Sequence, residues 1–265
     1  MALEHYNDER ITQAIREIAA TYGDSVSVAD KAKSLLKFGR NTEVGTNTDG
    51  YTVMTLAGSE RHETYVSTNA IDSISSASTS DTGDVVIEGH TVSGGNFTFS
   101  IQTCTLNGRN KVTLDPPIAR STRAYNDGST DLVGPIYVYQ DGTITNGVPD
   151  TASEVHLMIP AGKNQSQKSA TTISSQDYWI VTSVVAVCLE KSATAFSQVD
   201  MQVRLQGKVF RDKLNLSAKG GDTNEVELNP YMIVPKNADV RLIAVGSGAS
   251  IDTAGSINGY LAKIV

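Results

Sequence analysis

The first part of the chain carries apolar residues at three- and four-residue spacing, which places them on one face of a helix. The residues of this stripe are Ile11, Ala14, Ile15, Ile18, Ala19 and Tyr22. Asn7 is a suitable N-cap, Asp8 and Glu9 favour the positive end of the helix, and Gly23 is placed to end it. The pattern predicts an amphipathic helix. It leaves open whether the apolar face packs on the chain's own body or docks on a neighbouring subunit.

A second helix is predicted directly after the first, over residues 27–39. Residues 27–30 (SVAD) are close to a capping box, and Gly39 is placed to end the element. The apolar side of this helix would consist of Ala29, Ala32, Leu35, Leu36 and Phe38. Residues 1–40 are therefore predicted to form a helical arm.

From about residue 50 the apolar period changes to two, as in strands with one buried face. Residues 96–106 alternate clearly, and one face carries Phe97, Phe99 and Ile101. Asn107 and Gly108 follow, and a second alternating run begins at Lys111. Because Asn-Gly accepts positive φ at both positions, this sequence predicts a hairpin between the two runs.

The second half of the chain contains about eight strand-like runs, which is the number that a jelly roll needs. These runs begin near Ile136, Glu154, Ala170, Tyr178, Val199, Glu225, Asp239 and Gly259. The run over residues 178–189 is apolar on both faces and predicts a central strand. The turn-rich residues 122–134 suggest a boundary. We therefore predict a mainly β fold, with the helical arm followed by a β-sandwich or jelly-roll-like body divided into residues 41–130 and 131–265.

Composition and charge exclude several classes of function. The 265 residues include 22 Lys and Arg against 29 Asp and Glu, giving a net charge of −7, and about a quarter of them are Ser, Thr or Asn. An acidic balance gives no general drive to bind nucleic acid or anionic lipid. The first residues lack the pattern of a secretory signal, and no apolar run is long enough to cross a bilayer. Cys104 and Cys188 are predicted to be buried free thiols.

The sequence carries no catalytic signature, so neither an enzyme nor a cofactor is predicted. Glu88 with His90, and Glu154 with His156, stand two residues apart on predicted strands, so each pair could offer two metal ligands. A zinc site needs three or four ligands, and neither pair has an evident third; a solvated face is favoured and no metal is predicted. His62 lies in residues 59–63, which are predicted to form an exposed charged turn.

Five residues are candidates for contact with a partner protein. Ile11, Ile15 and Ile18 would anchor the first helix on a neighbouring chain if its apolar face is free. Arg120 and Arg123, with Arg109 and Lys111 nearby, could grip an acidic neighbour. A basic group in an acidic chain favours an inter-subunit contact over a nucleic-acid patch.

Aromatic residues offer a further hypothesis, a carbohydrate-binding or receptor-binding module. Tyr178 and Trp179, together with Tyr137 and Tyr139, could stack on sugar rings. An aromatic pair at the start of a central strand is, however, more often part of a core, and that interpretation is favoured.

Several segments together resemble a virion structural protein encoded among the head and tail genes of podovirus-type tailed phages. They include KFGRN, DVVIEGHTV and NGRNKVTL, and they cover residues 37–41, 84–92, 107–114, 117–127, 178–182, 207–211 and 231–245. The resemblance extends over most of the chain after residue 37. None of these segments is a catalytic signature, so the resemblance transfers no functional residue.

The resemblance implies a particle component, assembled in the cytoplasm of a bacterial host. The expected role is that of a capsid decoration (cement) protein, which would contact the major capsid protein or other virion proteins and form a homo-oligomer. A head–tail junction or tail component, such as a ring or fibre-anchoring protein, is the alternative. Copy number per particle distinguishes the two.

Overall fold

The computed structural model describes residues 9–24, 26–27, 33–58 and 60–264. Strands make up most of it and one helix, α1, spans Glu9–Tyr22, so the predicted fold class is confirmed. The strands of the first half are β1 (Val26–Ser27), β2 (Lys33–Val44), β3 (Tyr51–Thr52), β4 (Ile71–Ser76), β5 (Asp84–Ser93), β6 (Asn96–Thr105), β7 (Val112–Ile118) and β8 (Arg120–Asn126). Those of the second half are β9 (Ile136–Gln140), β10 (Ile144–Thr145), β11 (Val148–Pro149), β12 (Val155–Ile159), β13 (Ala170–Thr172), β14 (Asp177–Cys188), β15 (Phe196–Leu205), β16 (Arg211–Lys219), β17 (Thr223–Val234), β18 (Ala238–Gly246) and β19 (Ile251–Ile264). A 3₁₀ turn, Ala152–Glu154, precedes β12.

Two sandwiches make up the body. The terminal sandwich stacks one sheet of order β1-β19-β14-β17, in which β2 also pairs with β19, on a second sheet of order β13-β18-β15-β16, in which β3 pairs with β18. The inserted sandwich, formed by the chain between β3 and β13, stacks the sheet β12-β9-β4-β7 on the sheet β6-β5-β8. Each has its own apolar core: Trp179, Met201 and Leu242 lie in the first, and Ile87 and Leu114 lie in the second.

The sheets divide the chain differently from the predicted regions 41–130 and 131–265. β9 pairs with β4 along Ser73–Ser76, so strands on both sides of residue 130 share one sheet. The turn-rich segment leads from β8 to β9, two strands of the inserted sandwich. Hydrogen bonds to Asp81 hold the segment against that sandwich. Asp81 accepts hydrogen bonds from the backbone N–H groups of Val133 (2.8 Å) and Gly134 (3.0 Å).

The predicted second helix is wrong over its described part, since residues 33–44 form strand β2. β2 pairs antiparallel with β19 from Lys33–Leu261 to Val44–Ile251. Its burial follows the strand period, with Lys37 and Asn41 buried and Leu36 exposed. The apolar residues of β2 fit a helical stripe, but pairing with β19 makes this segment a strand. Local propensity does not show such a long-range pairing. Residues 28–32, where the predicted helix begins, lie outside the described residues.

The predicted hairpin at Asn107–Gly108 is also wrong. The hairpin partner of β6 is β5, through the two-residue turn Gly94–Gly95, and the register runs without a shift from Ser93–Asn96 to Asp84–Thr105. Gly108 keeps the positive φ that the pattern predicted (56°), but the chain there passes from one sheet of the inserted sandwich to the other. The Gly108 N–H donates to the Asp81 carbonyl at 2.8 Å, and this contact fixes the turn in place.

The central strand predicted for residues 178–189 is confirmed as β14, which lies between β17 and β19. It is apolar on both faces because both are covered. Trp179 and Val181 point into the core of the terminal sandwich, whereas Tyr178 and Ile180 lie under helix α1.

Candidate functional site

The apolar face of α1 packs on the chain's own sheet. Ile11 and Ile18 are buried against Tyr178 and Ile180, and Ile15 is partly buried in the same cluster. These isoleucines therefore anchor the helix to the body, and the structure leaves no free apolar stripe on it for a neighbouring subunit. Asn7 and Asp8, the predicted cap, lie outside the described residues.

The end of α1 is fastened by Asp24. Its carboxylate accepts hydrogen bonds from the Tyr178 hydroxyl and from Lys236 Nζ, the latter at 2.6 Å. The hydrogen bond from Lys236 and then that from Tyr178 lower the pKa of Asp24. These polar contacts add to the apolar packing that ties the helix to β14.

Arg120, a predicted partner contact, is buried inside the protein. Its Nε donates to Asp239 Oδ1 at 2.9 Å, and Arg204 Nε donates to Asp239 Oδ2 at the same distance. Thr172 Oγ1 donates to Oδ1 at 2.7 Å. Since Arg120 belongs to the inserted sandwich and Asp239 to the terminal one, this junction joins the two and is not available to a partner.

Aromatic rings and guanidinium groups alternate along the same junction. Arg120 lies over Phe97 and Tyr65, at 4.9 and 5.1 Å from the ring centroids. Arg204 lies over Tyr65 and Phe210, at 4.1 and 4.6 Å, and Arg241 lies over Phe210 at 4.0 Å. The sequence gives no local signal for this ladder because its six members come from distant segments. Cation–π contacts of this kind add to the ion pairs.

A second buried ion pair lies beside the first. Lys168 Nζ donates to the Glu63 carboxylate and to the carbonyl oxygens of Ser121 (2.5 Å) and His156 (3.2 Å). Burial lowers the pKa of Lys168, and the charge of Glu63 opposes that shift. The predicted exposed turn at residues 59–63 is therefore wrong at Glu63, which is held inside by this lysine.

Arg123 is the predicted basic residue that remains accessible, with 44% of its side chain exposed. It lies 3.5 Å from Glu88 and over the ring of Tyr125, 4.6 Å from its centroid. Lys111 pairs with Asp141, and Arg109 Nε donates to the Ala77 carbonyl at 2.9 Å. The four basic residues thus do not form one patch.

His90 and His156 are both buried, and desolvation keeps them neutral. Burial lowers the pKa of His90 to about 3 and that of His156 to about 4. His90 contacts the edges of Phe97 and Phe99, while His156 accepts from Gln140 Nε2 and donates through Nδ1 to the Thr64 carbonyl, both at 2.9 Å. In the part of the chain that the structure describes, no three His, Cys, Asp or Glu side chains are grouped to hold a metal.

The aromatic residues considered for sugar stacking are buried. Tyr178 and Trp179 have no exposed surface, and Tyr139 and Tyr137 lie under the β10–β11 side of the inserted sandwich. Tyr178 and Trp179 offer no free ring face, so the core interpretation of this pair is confirmed. Cys104 and Cys188 are also buried and free, one in each sandwich core, as predicted.

An apolar groove of about 540 Å³ opens beside β9 and β12. It is lined by Leu56, Ala57, Gly58, Pro135, Tyr137, Val148, Pro149, Asp150, Ala152, Val155, Met158, Pro160 and Ala161. Asp150 is the one charged residue of this lining. Sequence patterns missed the groove because one of its walls, the loop at residues 56–58, is far in the chain from the strands and the short hairpin of residues 135–161.

None of the helical residues that the structure describes forms a segment long and apolar enough to cross a membrane.

Comparisons with known proteins find no matching family model and no matching curated protein. Among solved structures, the chain is similar to infectious bursal disease virus, Gt strain, at 9% identity and a TM-score of 0.22, covering 94% of this chain and 75% of that one. It is similar to the VP2 subviral particle of the same virus at 11% identity and a TM-score of 0.23, covering 94% and 76%. The CBM22-1–CBM22-2 tandem domain of Paenibacillus barcinonensis Xyn10C aligns at 10% identity and a TM-score of 0.22, covering 90% and 100%. At these TM-scores the similarities carry no argument about function.

Proposed function

We propose that the protein is a non-enzymatic structural component of a tailed-phage virion, namely a shell decoration protein that bridges neighbouring subunits. The observation that carries this proposal is the apolar groove on a body whose two sandwiches are joined by the buried Arg120–Asp239 ion pair. The partners would be the major capsid protein or other virion proteins, and the resemblance in the sequence supports this choice.

The groove has the chemistry of a protein-contact surface. Its volume falls in the range of pockets that enclose a few apolar side chains, and Tyr and Met are among the residues that interfaces favour. Pro135, Pro149 and Pro160 stiffen its walls because proline fixes φ. A preformed surface of this kind binds a partner segment without paying for its own ordering.

The junction between the sandwiches suits a bridging role. The buried carboxylate of Asp239 is held by Arg204 of its own sandwich and by Arg120 of the other, so a separation would break the Arg120–Asp239 ion pair. A force applied to one sandwich is therefore passed to the other. Modest contacts of each copy would then be multiplied by the symmetry of the shell.

Quantitative mass spectrometry of purified particles tests the proposed position. A shell decoration protein is expected at on the order of hundreds of copies per particle, whereas about six or about twelve would identify a head–tail component instead. Absence from the particle would contradict a virion role altogether.

The groove itself is tested by adding purified protein to particles that lack it. Met158→Glu places a charge in the apolar lining and is expected to reduce occupancy at least about tenfold. Val209→Glu, at the 73%-exposed residue between β15 and β16, is the matched control and should bind as wild type does. Equal binding of both variants would show that the groove is not the contact.

A further inference from the structure

We propose that strand β6 is a self-association edge, which pairs antiparallel with β6 of a second copy of this chain. The proposal concerns the isolated protein and does not depend on the virion role. It rests on three properties of β6: unpaired backbone groups, exposed apolar side chains and the absence of charge.

The backbone of β6 presents hydrogen-bonding groups to an open side. The backbone N–H and carbonyl of Phe97 point away from β5. The N–H donates to Asn237 Oδ1 (2.9 Å), and the carbonyl accepts from Ser175 N–H (2.7 Å). Backbone groups alternate between the two sides of a strand, and the β5–β6 register has no shift. The backbone N–H and carbonyl groups of Phe99, Ile101, Thr103 and Thr105 therefore also point away from β5. No strand in the described ranges pairs with this side of β6.

Two large apolar side chains of this edge strand are open to solvent. Phe99 is 47% exposed and Ile101 is 59% exposed, on the face of the sheet away from the core. Natural proteins usually protect an edge strand with charge, proline or a bulge. β6 has none of these over its ten residues, so its edge is suited to pairing.

Charge favours a second copy of the same strand as the occupant. A two-fold axis brings the residues nearest to it close to their own counterparts, so like charges near the middle of an edge strand repel each other. The long edge strands β16 and β17 carry Arg211 with Lys213, and Glu225 with Glu227. β6 carries no Asp, Glu, Lys or Arg, and its copy meets no repulsion there.

The free groups also set the register. The occupied groups of Phe97 bound the open edge at one end, and the turn after Leu106 bounds it at the other. A two-fold axis through Gln102 uses all four free positions, pairing Phe99 with Thr105 and Ile101 with Thr103. The two three-stranded sheets then become one sheet of six. Because so short an edge buries well below the ~800 Å² per partner of a stable interface, we expect a weak dimer.

Disulfide trapping tests the register. Phe99→Cys and Thr105→Cys are purified separately and mixed under mild oxidation, next to each variant alone and to wild type with its two buried thiols. Across a hydrogen-bonded pair the Cα atoms lie about 5.5 Å apart, within disulfide range. Identical positions would be six residues apart along the strands, about 20 Å. We expect disulfide-linked dimers in the mixture only. No excess in the mixture, or equal linkage of one variant with itself, would overturn the proposal.

Sedimentation velocity at about 100 μM, above the Kd of a weak micromolar dimer, tests the interface without cysteines. Wild type is expected to sediment faster as its concentration rises, and Ile101→Lys to remain monomeric because two lysines meet near the axis. Val209→Lys, at a more exposed apolar position elsewhere, should behave as wild type. A monomeric wild type, or an Ile101→Lys variant that still associates, would contradict pairing through β6. Neither result bears on the copy number of the protein in particles.

Discussion

Arg120 and Asp239 form a buried ion pair between the two sandwiches, with their side chains 6% and 0% exposed and Arg120 Nε 2.9 Å from Asp239 Oδ1. Arg204 and Thr172 satisfy the remaining acceptor positions of the carboxylate. The hydrogen bond from Arg120 and its charge lower the pKa of Asp239 against the opposing effect of burial. The inserted sandwich is thus tied to the terminal one by charge as well as by the two chain connections.

Replacing Arg120 by Met is expected to lower the free energy of unfolding by about 3–5 kcal/mol, because it removes one partner of a buried carboxylate. Arg123→Met is the matched control on the same strand; its ion pair with Glu88 is partly exposed, and we expect a change within about 1 kcal/mol. Urea unfolding measures both. Equal effects of the two substitutions would contradict a structural role for Arg120.

Only two residues separate Arg120 from Arg123 in the chain, yet their environments differ, and the sequence could not show this. The β5–β8 register shifts between Glu88 and Gly89, opposite this part of β8. Helix α1 and strand β14 were predictable because their signals are local: a helical period in α1 and a run that is apolar on both faces in β14. The junction was not, since a buried ion pair depends on which distant segments meet.

Strand β2 illustrates the same limit. Its apolar residues fit a helical stripe, and Gly39 fits a helix end, but ten positions of cross-strand pairing with β19 decide the structure. The glycine is needed for a different reason from the predicted one. The Val53 carbonyl lies directly against it, so its place is set by tertiary packing.

Gly39→Ala is therefore expected to lower the free energy of unfolding by at least about 2 kcal/mol through overpacking. An added Cβ would lie 1.9 Å from the Val53 carbonyl oxygen and 2.5 Å from the Ser169 nitrogen, two backbone atoms that hydrogen-bond to each other. Gly83→Ala is the control, since no atom lies within 4 Å of its added Cβ. Thermal unfolding that shows equal Tm values for the two variants would contradict the close approach.

The buried histidines predict a loss of stability in mild acid. The folded protein keeps His90 and His156 neutral down to pH values of about 3 and 4, while the unfolded chain takes up protons near the ordinary pKa of 6.5. As the pH falls from 7 to 5, the free energy of unfolding should fall by about 2 kcal/mol in total for each of them, which is about 1 kcal/mol per pH unit. His62, which is half-buried, shifts in the same direction.

Urea unfolding of the double variant His90→Leu with His156→Gln between pH 5 and 7 measures this contribution. The double variant should have a flatter pH dependence than wild type, even if it is less stable at pH 7. Parallel curves for the two proteins would show that these histidines are not the source of the acid sensitivity.

Lys37 predicts the opposite kind of variant, one that stabilises the protein. Burial lowers its pKa to about 8, and the nearby charge of Glu88 opposes the shift; Lys37 Nζ donates to the Thr122 carbonyl at 3.3 Å. At pH 7 the amine is charged in both states, so the folded protein bears the cost of burying that charge. Lys37→Met is expected to raise the free energy of unfolding by about 1–3 kcal/mol at this pH.

This gain should shrink as the pH rises from 8 to 10.5, because over that window the folded wild type loses a proton that its unfolded chain keeps, and wild type becomes more stable. Lys213→Met, at an exposed position on β16, is the control and should change stability within about 0.5 kcal/mol at either pH. Chemical denaturation at pH 7 and pH 10 measures the gain. A destabilised Lys37→Met would mean that the hydrogen bond to Thr122 and the attraction to Glu88 outweigh the desolvation of the amine.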